Sequence, residues 1–206
     1  MALTSFFRDK DTLNLIEEHV LPEMRRSIYI RIWDAGCATG EEPFTLALIL
    51  AEGLSPDAFS SVTILATDQE ESNFPQFEKR LAEGVYHKTD VIWIPRPLFD
   101  KYFYPFEPPD YYQISDQIRG RVTYQKHDLL SLEPVGANFD LVVCKNVLLH
   151  FPPDSRIEVL QMFHRSLRTN GFLAMESSQE MPAECEPLFQ RLVRGGGLFQ
   201  KVGAAT

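Results

Sequence analysis

A glycine-containing loop that ends in acidic residues is the segment of this sequence best suited to chemistry. Residues 33–43 read WDAGCATGEEP and separate an alternating apolar run from a run with helical spacing. Loops between a strand and a helix often bind phosphate through backbone N–H groups. Here the pattern is Asp34-x-Gly36-x-x-x-Gly40, without the lysine of a P-loop or the G-x-G-x-x-G spacing of dinucleotide binders. A tight turn without a ligand explains the loop equally well when it is taken alone.

A further acidic residue follows the next apolar run. Residues 62–67 read VTILAT, as a strand buried on both faces would, and Asp68 comes next. In doubly wound sheets an acid at this position commonly binds ribose hydroxyls. The alternative is that Asp68 caps the helix after it. The loop and the acid together favour a nucleoside ligand more strongly than either does separately.

The charge of the loop distinguishes between nucleoside ligands. Glu41 and Glu42 would repel a pyrophosphate, whereas S-adenosylmethionine (SAM) has no phosphate and carries a sulfonium and an ammonium group. The sequence therefore favours SAM over NAD. Acids in the first helical turn also complement the helix dipole, and Pro43 suits an early helical position. The dipole can therefore account for either glutamate without a ligand, and it weakens the case for Glu41 more than the case for Glu42.

Alternating strands and helices must bring these residues together. Strands are predicted at 28–33, 62–67, 121–126 and 139–144, helices at 11–25, 42–53, 74–84 and 153–168, a helix end, turn and strand at 167–177, and a closing edge strand at 195–203. This alternation predicts an α/β fold with a doubly wound, mostly parallel sheet covered on both faces. Ligands bind such sheets beyond the carboxyl ends of the strands. The candidate residues therefore lie in 34–43, 68–71 and 145–150.

Residues 89–126 differ from the rest in their many prolines and tyrosines. They predict an irregular segment with a small hairpin, within a single domain that spans residues 1–206. The alternative is that the aromatic residues from Trp93 to Tyr112 are ordinary core and turn residues.

Composition excludes several classes of protein. A net charge of −9 argues against nucleic acid as the main partner, because such proteins place Lys and Arg on phosphates. No apolar run approaches the roughly 20 residues of a membrane span. Cys37, Cys144 and Cys185 are scattered and form no C-x-x-C pair, so neither a metal site nor a disulfide is expected. Buried free thiols in a reducing cytoplasm are the simplest interpretation.

Ordered blocks along nearly the whole chain resemble the CheR-type chemotaxis receptor methyltransferases. They read TSFFRD (4–9), WDAGCATGEEPFTLA (33–47), ATD (66–68), GVY (84–86), KYF (101–103), HDLL (127–130) and FDLVVCKNVLLHF (139–151). The resemblance implies a class I, Rossmann-like SAM-dependent methyltransferase with a small β insertion. It also implies transfer of methyl groups to glutamate side chains in the cytoplasmic region of chemoreceptors, with S-adenosylhomocysteine as the product.

The resemblance assigns cofactor positions one by one. Asp34, Gly36 and Gly40 belong to the loop that surrounds the cofactor. The remaining cofactor positions are Thr4, Arg8, Glu42, Asp68, Asp128, Leu129, Lys145 and Asn146. Lys145 replaces a common arginine, which keeps the charge and loses the forked geometry.

Two residues are predicted to act in catalysis. A glutamate substrate is already ionised at neutral pH and needs no general base, so catalysis depends on orientation. We expect Arg8 to direct the incoming carboxylate, unless it merely pairs with Asp9 or another surface acid. His150 replaces a common tyrosine and is expected to donate a hydrogen bond to the same carboxylate. The alternative for His150 is a structural histidine.

Two further differences from the family leave other functions open. The chain starts almost at the TSFFRD block, so we expect the family's N-terminal helical domain to be missing. The histidine and the missing domain are also compatible with a non-catalytic module that binds SAM or its product. A methyltransferase acting on a small molecule is a third interpretation, and an NAD-dependent dehydrogenase is a distant fourth.

Overall fold

Two β-sheets organise the part of the chain that the structure describes. The computed structural model describes residues 4–69 and 77–202, without the side chains of 77–79. The strands are β1 Ile30–Ala35, β2 Val62–Asp68, β3 Val85–His87, β4 Phe103–Phe106, β5 Tyr111–Ile114, β6 Val122–Lys126, β7 Phe139–Val143, β8 Leu167–Ala174, β9 Phe189–Arg191 and β10 Leu198–Lys201. The α-helices are α1 Lys10–Leu15, α2 Leu21–Met24, α3 Glu41–Gly53, α4 Pro56–Ser60, α5 Phe77–Glu83, α6 Arg96–Tyr102, α7 Asp116–Arg119 and α8 Pro153–Ser166.

The larger sheet has the strand order β6-β2-β1-β7-β8-β10-β9. Strands β6, β2, β1, β7 and β8 pair in parallel, whereas β10 runs antiparallel to both β8 and β9. The chain builds outward from β1 to β2 and β6 and then returns to β7 on the other side of β1. The strand order therefore reverses between β1 and β7, where doubly wound folds bind their ligands.

Alternate residues of the central strands face two separate cores. In β1, Ile30 and Ile32 belong to the core that includes α3, while Trp33 and Ala35 belong to the core that includes α8. In β7, Leu141 and Val143 belong to the first of these cores and Val142 belongs to the second. This two-residue period places helices on both faces and confirms the mostly parallel, doubly wound sheet predicted from the sequence.

The predicted helix at 11–25 is one helical segment with a widened turn. Residues Ile16–Val20 form a π-helix between α1 and α2. Pro22 lies in the first turn of α2 and has no N–H to donate to the preceding turn, which accounts for the local widening. Leu13, Ile16 and Val20 are buried as the periodicity predicts.

The segment at 89–126 contains more regular structure than its sequence predicts. Strands β3, β5 and β4 form a separate antiparallel sheet, so a third strand, which lies before residue 89, joins the predicted hairpin. Helices α6 and α7 also lie here, contrary to the irregular segment predicted. Pro95 and Ser115 precede these two helices. Helix α6 was not predicted because prolines, which are common at the start of a helix, here belong to a proline-rich run that is typical of irregular structure.

The prediction that the tail forms the edge strand is wrong. Strand β10 lies inside the sheet, between β8 and β9, and β9 is the edge strand at that side. The three residues of β9 are too few to give a periodic signal in the sequence. The predicted helix at 74–84 is described from Phe77 onward, and residues 74–76 lie outside the described residues.

Within the described residues, every helix falls short of the length and hydrophobicity that a membrane-spanning segment requires.

Candidate functional site

A cavity of about 440 Å³ lies at the carboxyl ends of β1, β2, β6 and β7. It brings together residues that are far apart in the sequence. The predicted site residues that line it are Thr4, Arg8, Gly36, Glu42, Asp68, Asp128, Leu129, Lys145, Asn146 and His150. Asp34 and Gly40 do not line it: Asp34 is fully buried in β1, and Gly40 lies at the start of α3. The remaining lining residues, which the sequence analysis did not single out, are Ala38, Thr67, Gln69, His127, Val147, Leu149 and Phe151. All of them except Ala38 are adjacent in sequence to a predicted residue, and Ala38 lies between the predicted Gly36 and Gly40.

The loop after β1 uses its backbone N–H groups internally. The N–H groups of Gly36 and Cys37 both donate to the carbonyl of Thr67, at 2.7 and 3.0 Å. The N–H of Ala38 donates to Oδ2 of Asp68 at 2.9 Å. The usual donors of a phosphate-binding loop are therefore engaged with the end of β2, and Asp68 holds the loop in place. Whether Asp68 also caps the next helix concerns residues 70–76, which lie outside the described residues.

Gly36 is required by both conformation and space. Its φ of +103° is unfavourable for residues with a Cβ, and a Cβ there would collide with the side chain of Val147. The loop and the segment after β7 can therefore approach closely, which closes one side of the cavity.

The two adjacent glutamates of the loop point to different places. Glu41 is buried, accepts a hydrogen bond from the Thr39 hydroxyl at 2.6 Å, and lies 3.8 Å from Nη2 of Arg80. Burial raises the pKa of Glu41, and the Thr39 hydroxyl and Arg80 oppose this rise. Glu42 lines the cavity, with Oε2 at 3.0 Å from Nζ of Lys145.

Asp34 lies below the cavity and is completely buried. Neither of its carboxyl oxygens accepts a hydrogen bond from a donor in the described part of the chain. Burial raises the pKa of Asp34 well above its usual value, and the neighbouring carboxylate of Glu42 raises it further, while Lys145 opposes the rise. Burial and the carboxylate of Glu42 therefore favour the neutral form of Asp34 over its ionised form.

Lys145 connects the loop to the N-terminal segment. Its side chain is only 1% exposed, and its Nζ lies 3.0 Å from Glu42 and 3.8 Å from Oδ2 of Asp9. The same ammonium donates to the carbonyl of Arg8 at 3.2 Å. Because a buried charge must be compensated, this arrangement fixes three chain segments relative to one another.

The N-terminal segment is anchored on both sides of Arg8. Phe6 is buried and makes an edge-on contact with Tyr86, with ring centroids 4.9 Å apart. The Phe7 N–H donates to Oγ1 of Thr45 in α3 at 3.1 Å. Arg8 therefore lies on the cavity wall, partly exposed, with Nε at 3.9 Å from Oδ2 of Asp9.

The remaining predicted residues follow β6 and β7. The Asp128 carboxylate accepts the Leu130 N–H at 2.9 Å and caps the 3₁₀-helix Leu129–Ser131, so Leu129 is buried beneath the cavity. Asn146 has a positive φ of +59°. His150 ends the 3₁₀-helix Leu148–His150 and is exposed at the cavity rim.

The acidic lining of this cavity fits SAM better than a dinucleotide. The acids Glu42, Asp68 and Asp128 line it, and they suit an ammonium group and hydroxyl groups. The loop N–H groups that a pyrophosphate would need are already bonded.

The chain matches the model of a known family. Residues 2–193 match "CheR methyltransferase, SAM binding domain". A chemotaxis protein methyltransferase of Listeria monocytogenes is 31% identical over 181 residues, which are 87% of this chain and 65% of that protein. A chemotaxis protein methyltransferase of Borreliella burgdorferi is 30% identical over 184 residues, covering 85% of this chain and 63% of that protein.

Other relatives and a solved structure extend the comparison. An uncharacterized 104.1 kDa protein of Rhodobacter capsulatus is 31% identical over 186 residues, which are 88% of this chain and 19% of that protein. The chain thus spans less than two thirds of each of these three relatives. The structure of PKMT2 from Rickettsia typhi in complex with AdoHcy superposes with a TM-score of 0.50 at 12% identity, over 85% of this chain and 26% of that one.

The fold and the family model agree on the identity of the cofactor. The predicted class I methyltransferase fold is confirmed, and SAM is the cofactor, as the acidic loop predicts. The chain belongs to the CheR methyltransferase family and corresponds to its SAM-binding domain.

Proposed function

We propose that the protein transfers the methyl group of SAM to glutamate side chains in the cytoplasmic region of chemoreceptors. The products are a glutamate methyl ester and S-adenosylhomocysteine. The observation that carries the proposal is the position of Arg8, a partly exposed cation on the wall of a cavity that is also lined by Glu42, Asp68 and Asp128. The relatives named chemotaxis protein methyltransferases support the choice of substrate. The reaction is placed in the cytoplasm, where the receptor region lies.

The chemistry requires positioning more than activation. The bound cofactor supplies an electrophilic methyl group on a sulfonium. A glutamate substrate is ionised at neutral pH, so its oxygen attacks without a general base while the carbon–sulfur bond breaks. The work of the protein is to hold this oxygen in line with that bond.

Arg8 and His150 are the groups proposed to hold the substrate. Glu42, Asp68 and Asp128 would repel an incoming carboxylate, so the cavity needs a cation at its entrance. Arg8 offers charge-assisted N–H donors to the carboxylate, and the exposed ring of His150 offers a further donor. Lys145 is ill suited to this task, because Glu42 already engages its ammonium.

The chemistry of the transferred methyl group tests the proposal. The protein is incubated with radiolabelled SAM and receptor-containing membranes, and the label is then exposed to alkali. Base-labile label released as methanol is expected from a methyl ester, whereas methylated nitrogen retains it. SAM binding by calorimetry without any transferred label would favour a non-catalytic SAM-binding module instead.

Arg8→Ala should abolish methyl transfer, because the substrate carboxylate loses its charged donor. SAM affinity should change little, within about threefold, if most of the cofactor's contacts come from the strand-end acids. The exposed Arg26→Ala is the matched control, since Arg26 pairs with Glu23 outside the cavity. Unchanged turnover in Arg8→Ala would remove this residue from the mechanism.

A further inference from the structure

Two residues beside the cavity have backbone conformations that their surroundings must enforce. Asn146 and Asp9 have φ angles of +59° and +57°. Residues other than glycine rarely adopt this region, although Asn and Asp tolerate it best. Such conformations persist where neighbouring groups determine them.

Asn146 is held from two sides by carboxylates. Its backbone N–H donates to Oε2 of Glu176 at 2.8 Å. Its side-chain Nδ2 donates to Oδ2 of Asp9 at 3.0 Å. Neither Asp9 nor Glu176 lines the cavity, and neither is among the site residues predicted from the sequence.

Glu176 is a buried acid with a fixed position. It is 5% exposed and lies two residues after the end of β8. The carbonyl of the preceding Met175 accepts the Thr12 hydroxyl of α1 at 3.2 Å, so this segment is also bound to the N-terminal helix. A buried carboxylate is costly unless it is hydrogen-bonded, and its bond to Asn146 helps to offset that cost.

Asp9 connects Asn146 to the neighbouring Arg8. Its Oδ2, which accepts from Asn146, also lies 3.8 Å from the Lys145 ammonium and 3.9 Å from Nε of Arg8. Lys145 in turn donates to the Arg8 carbonyl at 3.2 Å. The peptide unit between Arg8 and Asp9 is therefore held on both sides by the segment after β7.

We propose that Asp9 and Glu176 are positioning residues that clamp Asn146 between them and thereby fix Arg8 on the cavity wall. The clamp needs both bonds. Without Glu176, the turn at Asn146 relaxes, and without Asp9, the turn loses its connection to the N-terminal segment. This inference rests on the proposed function, in which Arg8 orients the substrate carboxylate.

A double-mutant cycle on methyl transfer tests the clamp. Asp9→Ala and Glu176→Ala should each lower kcat roughly tenfold while the Kd of SAM stays within about threefold, because orientation of the substrate is lost and the cofactor contacts are kept. The double variant should be no slower than the slower single variant, since both changes disable one device. Effects that multiply to roughly 100-fold would overturn the proposal. So would single variants with unchanged kcat.

Matched variants separate positioning from general damage. Asp11→Ala and Glu180→Ala remove exposed acids close in sequence to the two positioning residues and should leave kcat unchanged. Glu176→Gln keeps an oxygen acceptor for the Asn146 N–H and should retain kcat within about threefold of the wild type. Loss of activity in Glu176→Gln as large as in Glu176→Ala would contradict the assigned hydrogen bond.

Hydrogen exchange tests the clamp without using the reaction. The Phe7 N–H, bonded to Thr45 in the wild type, should exchange faster in Asp9→Ala and in Glu176→Ala, because the segment around Arg8 is released. Unchanged exchange in both variants would overturn the proposal. If the wild type transfers no methyl group but exchange rises as expected, the proposed function fails and the clamp stands.

Discussion

At the scale of single residues, adjacent side chains of the same type have separate tasks. Sequence reasoning assigns Glu42 and not Glu41 to the cofactor, and the structure places Glu42 on the cavity and turns Glu41 toward Thr39 and Arg80. The sequence favours a cationic ligand on Coulombic grounds, because the glycine-containing loop ends in two glutamates and lacks a lysine. No pattern in the sequence could identify Asp9 and Glu176, since their importance comes from a contact across 137 residues in one case and 30 in the other.

Neutralising the two glutamates separately should distinguish their tasks. Glu42→Gln is expected to weaken SAM binding at least roughly tenfold, because a carboxylate facing a cationic cofactor is lost and Lys145 loses its partner. Glu41→Gln is the matched control and should change the Kd of SAM less than about threefold. Calorimetry on both variants measures this. Equal losses of affinity would contradict the separation.

The buried acid Asp34 should make stability depend on pH. Its pKa is raised in the folded state, so the native protein binds more protons than the unfolded chain above the unfolded pKa. The free energy of unfolding therefore falls as the pH rises from about 4 toward the raised pKa. Each unit of raised pKa corresponds to about 1.4 kcal/mol.

Asp34→Asn should remove this dependence, because the amide stays neutral at every pH. The variant should gain stability relative to the wild type as the pH rises, and the two should converge near pH 4. Urea unfolding at several pH values between about 4 and 8 measures the difference. A difference that does not vary with pH would show that Asp34 is ionised in the folded protein.

At the scale of elements, strand ends were predictable where apolar runs are long. The sequence predicts β1, β2, β6 and β7 to within about two residues, and these four strands carry most of the cavity. The insertion was harder, because β3 has three residues and α6 begins within a proline-rich run. The π-helix was missed for a different reason: it keeps the helical periodicity that the sequence displays and changes only the hydrogen-bond register.

The insertion and the N-terminal segment support each other through Phe6. This ring packs edge-on against Tyr86 of β3 and Phe103 of β4, with centroids 4.9 and 5.8 Å apart. Phe6→Ala should lower the free energy of unfolding by about 3–5 kcal/mol, because a fully buried aromatic ring is removed. Chemical denaturation measures this loss.

The matched control for Phe6 is Phe106→Ala, in the partly exposed part of β4. It should cost less than about 1 kcal/mol, because its ring is not fully buried. In Phe6→Ala, methyl transfer should also fall at temperatures where the variant remains folded, since Arg8 lies two residues from the lost anchor. Normal transfer in a folded Phe6→Ala protein would show that the N-terminal segment holds its position without this ring.

At the scale of the whole molecule, topology explains why distant residues share one site. The parallel strands β6, β2, β1 and β7 end at the same side of the sheet, so polar residues that follow them meet even though they span residues 34–150. The alternation of strands and helices was sufficient to predict this meeting point. The alternation was insufficient to predict the order of β9 and β10, because this order depends on which of the two strands pairs with β8.

The net charge of −9 is a property of the whole molecule that affects how it binds a negatively charged substrate. The glutamate-bearing substrate proposed above would need local cations on this acidic protein, and Arg8 and His150 are the groups proposed for this task. Receptor recognition beyond the reacting carboxylate is therefore expected to depend on surface contacts, for which the exposed Ile92 and Trp93 of the insertion are candidates.

The central claim is tested most directly by locating the transferred methyl group. The protein is incubated with SAM and a purified cytoplasmic receptor fragment, and the products are mapped by tandem mass spectrometry. The account predicts one added methyl group on glutamate side chains, lost on treatment with alkali and absent with Arg8→Ala. SAM binding without any modified glutamate, or methyl groups found on nitrogen, would contradict it.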